Sequence, residues 1–349
     1  MNRRSFVATT VGAPALAYAM ADNREQALRC GADGHFKILM ISDLHYRPAP
    51  DVHGLALTER LIDLEKPNLV IVTGDCMSGK ECTTVEQVRT TIGHIASVME
   101  KKNTPWAITF GNHDQEHFPK TNFGKDEVLA VYASYPHNLN GDYARGLHGG
   151  GNKHLLIWNA AGSKPVYCVW LIDSNMYFSD GKNNPYDWIH ADQIHWYMRA
   201  SAELEQRHGA KIPGLMFFHI PLPEFNELAN HGKIVGMRQE SEAVSPVNGG
   251  MFAAVVDRGD VRGIFCGHDH TNNYVGKWRG IELGYDGSLG HYTYPRVPPE
   301  DPSNGKVRGG RVFQITDGSP ATHKSWMRTK DGTVNWESES DAYMNYQLK

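Results

Sequence analysis

The chain has 349 residues, 40% of them hydrophobic and 21% charged, with 35 Gly and 18 Pro. That is a globular, loop-rich composition, which excludes a disordered or fibrous chain. A formal net charge of −4 carries no basic surplus, so no nucleic-acid partner is expected. The 18 His are an ample supply of imidazole, the commonest metal ligand.

At the N-terminus, Arg3-Arg4-Ser5-Phe6 opens a mildly apolar stretch that carries no charge up to Met20. Ala17-Tyr18-Ala19 and Ala19-Met20-Ala21 both fit an A-x-A cleavage site. The paired arginines and weak apolar core resemble a twin-arginine export signal. Residues 1–21 are therefore expected to direct the protein to the periplasm or outside the cell. Residues 22–349 then form a single domain, with 317–349 as a poorly defined tail. No apolar run reaches the ~18 residues a membrane span needs. Cys30, Cys76, Cys82, Cys168 and Cys266 are odd in number and scattered, which is no disulfide framework, although a Cys76–Cys82 bridge is open.

Along the chain a single pattern recurs: a short apolar run, then a polar loop able to bind metal. Phe36–Ile41 leads into Ser-Asp43-Leu-His45, and Asn68–Thr73 into Gly-Asp75. Trp106–Phe110 leads into Gly-Asn112-His113-Asp114. Leu215–Phe218 leads into His219-Ile-Pro-Leu-Pro, and Val261–Cys266 into Gly-His268-Asp269-His270. Runs of four to eight apolar or β-branched residues bounded by Gly and Pro signal buried strands. Helical periodicity fills gaps between them, at His53–Leu64, Thr84–Lys102, Ala191–Arg207 and Asn248–Asp257. Strands alternating with helices imply an α/β layered domain whose ligands gather at the carboxyl ends of strands. The Gly/Asn-rich stretch from Pro136 to Lys164, with His154–Trp158 and Val166–Asp173, predicts a hairpin that moves the chain into a second sheet. A last strand is expected near Gly310–Thr316, with a short hairpin around Lys330-Asp331-Gly332.

Each polar loop alone is weak; Gly74-Asp75, for instance, suits an ordinary turn. Two imidazoles in His268-x-His270 face one side of an extended backbone, as chelation requires. Taken together, five strand ends deliver oxygen or imidazole donors to one edge of a sheet. Two Asp, one Asn and four His suit Zn, Mn or Fe. Seven side chains crowd one small ion but divide naturally between two that share a carboxylate.

The order DxH, GD, GNHD, a lone His and GHxH resembles the calcineurin-like metallophosphoesterases. Phe218–Phe225 with Cys266–His270 is similar to the branch of plant and fungal phosphoesterases described as purple-acid-phosphatase-like. The resemblance spans about Phe36 to Val312. It implies a four-layer αββα sandwich of two mixed β-sheets, with Asp43, His45 and His270 on one metal. It places Asn112, His219 and His268 on the other, Asp75 between them, and His113 beside the phosphate as a non-ligand. It further implies hydrolysis of a small phosphomonoester by in-line attack of a metal-bridging hydroxide, with His113 assisting the leaving group. A phosphodiesterase using the same centre, or a non-catalytic metal-binding protein, are the alternatives. Purple acid phosphatases carry a tyrosine ligand three residues after the bridging aspartate; here that position is Ser78, so no tyrosinate-to-iron colour is expected.

Overall fold

The computed structural model describes residues 28–294 and 308–339, so the export segment expected over residues 1–21 lies outside the described residues. Thirteen strands follow in chain order: β1 His35–Ile41, β2 Leu69–Thr73, β3 Trp106–Thr109, β4 Lys153–Trp158, β5 Pro165–Leu171, β6 Gly214–Phe218, β7 Ile234–Val235, β8 Val261–Cys266, β9 Val275–Trp278, β10 Ile281–Tyr285, β11 Gly309–Thr316, β12 Thr322–Thr329 and β13 Val334–Glu339. Among the described residues, seven α-helices lie between these strands: α1 Val52–Glu65, α2 Val85–Lys101, α3 Phe118–Thr121, α4 Lys125–Ala133, α5 Ala191–His208, α6 Glu224–His231 and α7 Met251–Arg258.

The strands form two mixed sheets. One has six strands in the order β13-β12-β11-β1-β2-β3, the other seven in the order β4-β5-β6-β8-β10-β9-β7. β1, β2 and β3 run parallel, as do β5, β6, β8 and β10, while β11 and β4 pair antiparallel at their partners. Period-two side-chain alternation sorts the residues into layers. Ile38 and Met40 of β1 join Leu215 and Phe217 of β6, Phe265 and Phe313 in one core between the sheets. Leu39 and Ile41 face the opposite way, into a core with Leu57, Leu61, Val88 and Ile92 of the helices. On the far side Met216, Phe218 and Ile264 pack with Ile194, Tyr197 and Val255. The architecture is thus an αββα sandwich, and strands buried on both faces explain why they read as unbroken apolar runs.

Local signals fix the helix ends. Asp51 caps α1 by accepting from the His53 and Gly54 amides, and Lys66 ends it in the left-handed region before Pro67. Thr84 caps α2 by accepting from the Gln87 amide. The helix expected from Asn248 starts only at Met251, because Gly250 takes a φ of 91°. β4 and β5 make the predicted hairpin into the second sheet.

The C-terminal tail is the main correction. β11 is not the last strand: β12 and β13 extend its sheet, and the hairpin turns through the anticipated Lys330-Asp331-Gly332. All five cysteines are free and buried, so Cys76 and Cys82 form no bridge. Cys82 Sγ sits 3.5 Å from Thr91 Oγ1 instead.

Candidate metal centre

The loops after β1, β2, β3, β6 and β8 meet at one edge between the two sheets. Close approach there demands glycine before the donors. A Cβ on Gly74, which has a φ of 81°, would lie 2.6 Å from the His219 ring. One on Gly111 would lie 2.3 Å from Asp75 Oδ1. Four of the expected donors, Asp43, His45, Asp75 and His268, have φ between 45° and 79°. Left-handed backbone at non-glycine residues is strained, and it persists where surrounding contacts dictate it.

The donors fall into two overlapping groups. Asp43, His45, Asp75 and His270 offer ligand atoms all within 4.8 Å of one another, and so do Asp75, His219 and His268. Asp75 belongs to both. Its Oδ2 lies 3.1 Å from His219 Nε2 and 3.4 Å from His45 Nε2. Its Oδ1 accepts from the His113 amide at 2.8 Å. Asp43 Oδ1 lies 3.1 Å from His270 Nε2, while its Oδ2 accepts from the Ser42 hydroxyl and the His268 amide.

Tautomers follow from the partners on the far side of the rings. His219 Nδ1 lies 2.8 Å from the Thr73 carbonyl and His270 Nδ1 2.7 Å from the Tyr294 carbonyl. A carbonyl only accepts, so both Nδ1 atoms carry hydrogen, and in the neutral ring Nε2 is the atom left to present a lone pair. Nε2 of His219 faces Asp75 Oδ2 and that of His270 faces Asp43 Oδ1, and His268 Nδ1 and His45 Nε2 lie 3.3 Å from these two nitrogens, respectively. Lone pair against lone pair is repulsive unless a cation or an extra proton lies between. Asp43 Oδ1, Asp75 Oδ2 and Asn112 Oδ1 are likewise buried without a hydrogen-bond partner. A donor set of this kind fits two transition-metal ions.

Burial pulls the His219 pKa down, but Asp75 and Asp43 overcome it and push it up to about 10. Burial raises the two carboxyls, yet the surrounding imidazoles hold both below their ordinary value. Burial and the neighbouring His219 depress His268 to about 3.

His113 stands beside this group without joining it. Its Nδ1 lies 2.9 Å from Glu116 Oε2, and Glu116 in turn pairs with Lys80 at 3.0 Å. Burial lowers its pKa, but the Glu116 hydrogen bond and the Asp75 charge raise it above the usual value. Ser78, three residues after Asp75 and in the place of the purple-acid-phosphatase tyrosine, approaches His45 Nδ1 at 3.4 Å.

Other residues after the motifs resolve differently. Asp114 accepts from the Met77 and Gly111 amides, tying two donor loops together. Asp269 points away and accepts from Tyr285 Oη and the Ala243 amide. Tyr46, Gln115 and His117 are buried. Glu224 accepts from Asn248 Nδ2. Trp196 and Tyr197 pack edge-on to Trp170, as helix packing requires.

Three contacts went unread in the sequence. Glu116 lies three residues after His113, a spacing that could have revealed it. Asp286 Oδ1 lies 2.8 Å from the same Ser42 Oγ that donates to Asp43, and Tyr177 Oη accepts from Asn112 Nδ2 at 2.7 Å. Both come from distant loops with no local signature.

A profile of the calcineurin-like phosphoesterases matches residues 36–272, the span that carries all the donor loops. The chain belongs to this family. It is similar to an Arabidopsis thaliana protein named probable inactive purple acid phosphatase 14, at 32% identity over 95% of this chain and 91% of the relative. Phosphatase DCR2 of Saccharomyces cerevisiae is 26% identical, covering 72% of this chain and 47% of the relative. Among solved structures, a dimetal phosphatase from Danio rerio superposes with a TM-score of 0.57 at 11% identity, covering 88% of this chain and 99% of that one. At that identity the likeness establishes the fold. Membership in the purple-acid-phosphatase-like branch rests on the sequence relatives.

Proposed function

We propose that this calcineurin-like phosphoesterase hydrolyses phosphomonoesters at a dinuclear metal centre. In it Asp43, His45 and His270 hold one ion, Asn112, His219 and His268 the other, and Asp75 both. The observation that supports this is the convergence of two buried groups of donors, Asp43, His45, Asp75 and His270 on one side and Asp75, His219 and His268 on the other, sharing one carboxylate. Bound there, two divalent or trivalent ions such as Fe, Mn or Zn supply Lewis acidity toward a phosphoryl oxygen and lower the pKa of an attacking water.

The chain's own groups do the rest. Thr73 and Tyr294 carbonyls fix the two ring tautomers, so the donors stay aimed without reorganisation. Glu116 holds the Nδ1 hydrogen of His113, leaving Nε2 to meet the substrate. Burial lowers the His113 pKa, but the Glu116 carboxylate raises it above its ordinary value, which favours the protonated ring that a donor to the leaving oxygen must be.

A non-catalytic role is favoured by one observation, the word "inactive" in the name of the Arabidopsis relative. Against it stands the orienting of His113 by Glu116, which a purely metal-binding protein has no use for. The test is turnover by metal-loaded protein of p-nitrophenyl phosphate and of its bis-ester, with Asp75→Asn as control. Faster cleavage of the monoester supports the proposal, faster cleavage of the diester supports a phosphodiesterase, and no cleavage of either supports the non-catalytic role. Export through residues 1–21 is part of the proposal; N-terminal sequencing of protein recovered outside the cytoplasm should begin near residue 22.

A further inference from the structure

Between β5 and α5 the chain makes an excursion that no sheet requires. Met176 to Asp187 fold into a hairpin in which the Phe178 amide donates to the Pro185 carbonyl and the Asp187 amide to that of Met176. Tyr177 and Tyr186 are directly opposed across it, their rings stacked with centroids 5.7 Å apart at 27°. The polar tip is exposed, and Phe178 anchors the ribbon edge-on against Trp188.

What makes the pair notable is where it lies. Tyr177 Oη is held by Asn112 Nδ2 at 2.7 Å, and the Tyr186 ring meets the His268 ring edge-on at 4.5 Å and 89°. Both contacts fall on the same half of the donor set. Tyr177 is nevertheless 37% exposed as a residue, although large aromatic residues are ordinarily well buried. An open aromatic face fixed at both ends, beside a phosphate-binding centre, is a stacking platform for a flat group attached to that phosphate.

We infer that the Tyr177–Tyr186 pair is the leaving-group wall of the site and selects phosphoesters whose leaving group carries an aromatic ring. This deepens the phosphoesterase assignment above and rests on it. The Tyr177 hydroxyl fixes the ring against Asn112, Tyr186 backs it, and the exposed face receives the ring of the substrate. Two sources of such a ring, a nucleoside and a simple aryl group, share this chemistry.

Matched probes separate them. Adenosine 5′-monophosphate and ribose 5-phosphate lose the same primary alkoxide and differ only by the base. Phenylphosphonate and methylphosphonate, which are not hydrolysed, report on ring binding alone as inhibitors. Wild-type protein should favour the aromatic member by about tenfold in kcat/KM or in inhibition constant, the range one stacked ring supplies. A preference in the first pair alone marks a nucleoside, and a preference in both marks any aryl group. Tyr177→Leu and Tyr186→Leu should bring the preference close to one, while Tyr177→Phe should keep it because the ring remains. Equal treatment of both members by the wild type, or equal losses on both in the leucine variants, overturns the wall. Failure of the wild type to cleave any ester removes the phosphoesterase assignment itself, and the wall with it.

Discussion

His219 Nε2 lies 3.1 Å from Asp75 Oδ2 while its Nδ1 faces the Thr73 carbonyl at 2.8 Å. One ring is thus pinned by the backbone of one sheet's strand and aimed at a carboxylate shared by two groups of donors. Removing the charge of Asp75 affects both groups at once. Asp75→Asn should lower turnover by orders of magnitude and reduce bound metal from two ions per chain to less than one, measured by elemental analysis of dialysed protein. Full metal content in that variant would take Asp75 out of the shared position.

His113 and Glu116 make a separable prediction. His113→Ala should lower kcat by about 10²–10⁴-fold, the usual worth of a general acid, with metal content unchanged. Glu116→Gln keeps an acceptor for Nδ1 but removes the charge that raises the His113 pKa against the opposing effect of burial. An acid with a lowered pKa loses its proton sooner as pH rises. The alkaline fall of kcat/KM should therefore move to lower pH in Glu116→Gln. A pH profile superimposable on the wild type would show that Glu116 only braces the loop.

Legibility in the sequence followed burial. β1, β2, β3, β6 and β8 are apolar on both faces and stood out; so did their loops, because each donor follows a strand end or a glycine. The strands that stayed hidden carry polar residues into the core. β10 contains buried Glu282, which pairs with buried His323 of β12 at 3.0 Å. A polar pair between sheets breaks the hydrophobic pattern that marks a strand. The donors of the site were readable for their spacing, whereas Tyr177 meets Asn112 across 65 positions and leaves no trace in either neighbourhood.

The buried thiols give a chemical check on packing. Burial pushes the Cys30 thiol up to about 11 and those of Cys76 and Cys266 well above their ordinary value. Since the thiolate is the reactive form, native protein should react negligibly with a disulfide reagent at pH 8. In denaturant all five free cysteines should react, without prior reduction. Three thiols in denaturant, rising to five after reduction, would restore the Cys76–Cys82 bridge.

His154 carries a prediction about stability. From β4 its ring lies 5.2 Å from that of Trp170 on β5, and burial, with the Lys153 and Arg207 charges, lowers its pKa from 6.5 to about 4. Between those values the unfolded chain holds a proton at this position that the folded chain refuses, so stability rises with pH there. The contribution is present above about pH 6.5 and is lost as pH falls toward 4. His154→Phe keeps an aromatic ring against Trp170 and removes the titration. The fall in Tm between pH 7 and pH 4.5 should then be smaller in the variant than in the wild type. Parallel falls would mean that the imidazole protonates in the folded protein as readily as in the unfolded one, and that its burial against Trp170 does not exclude water.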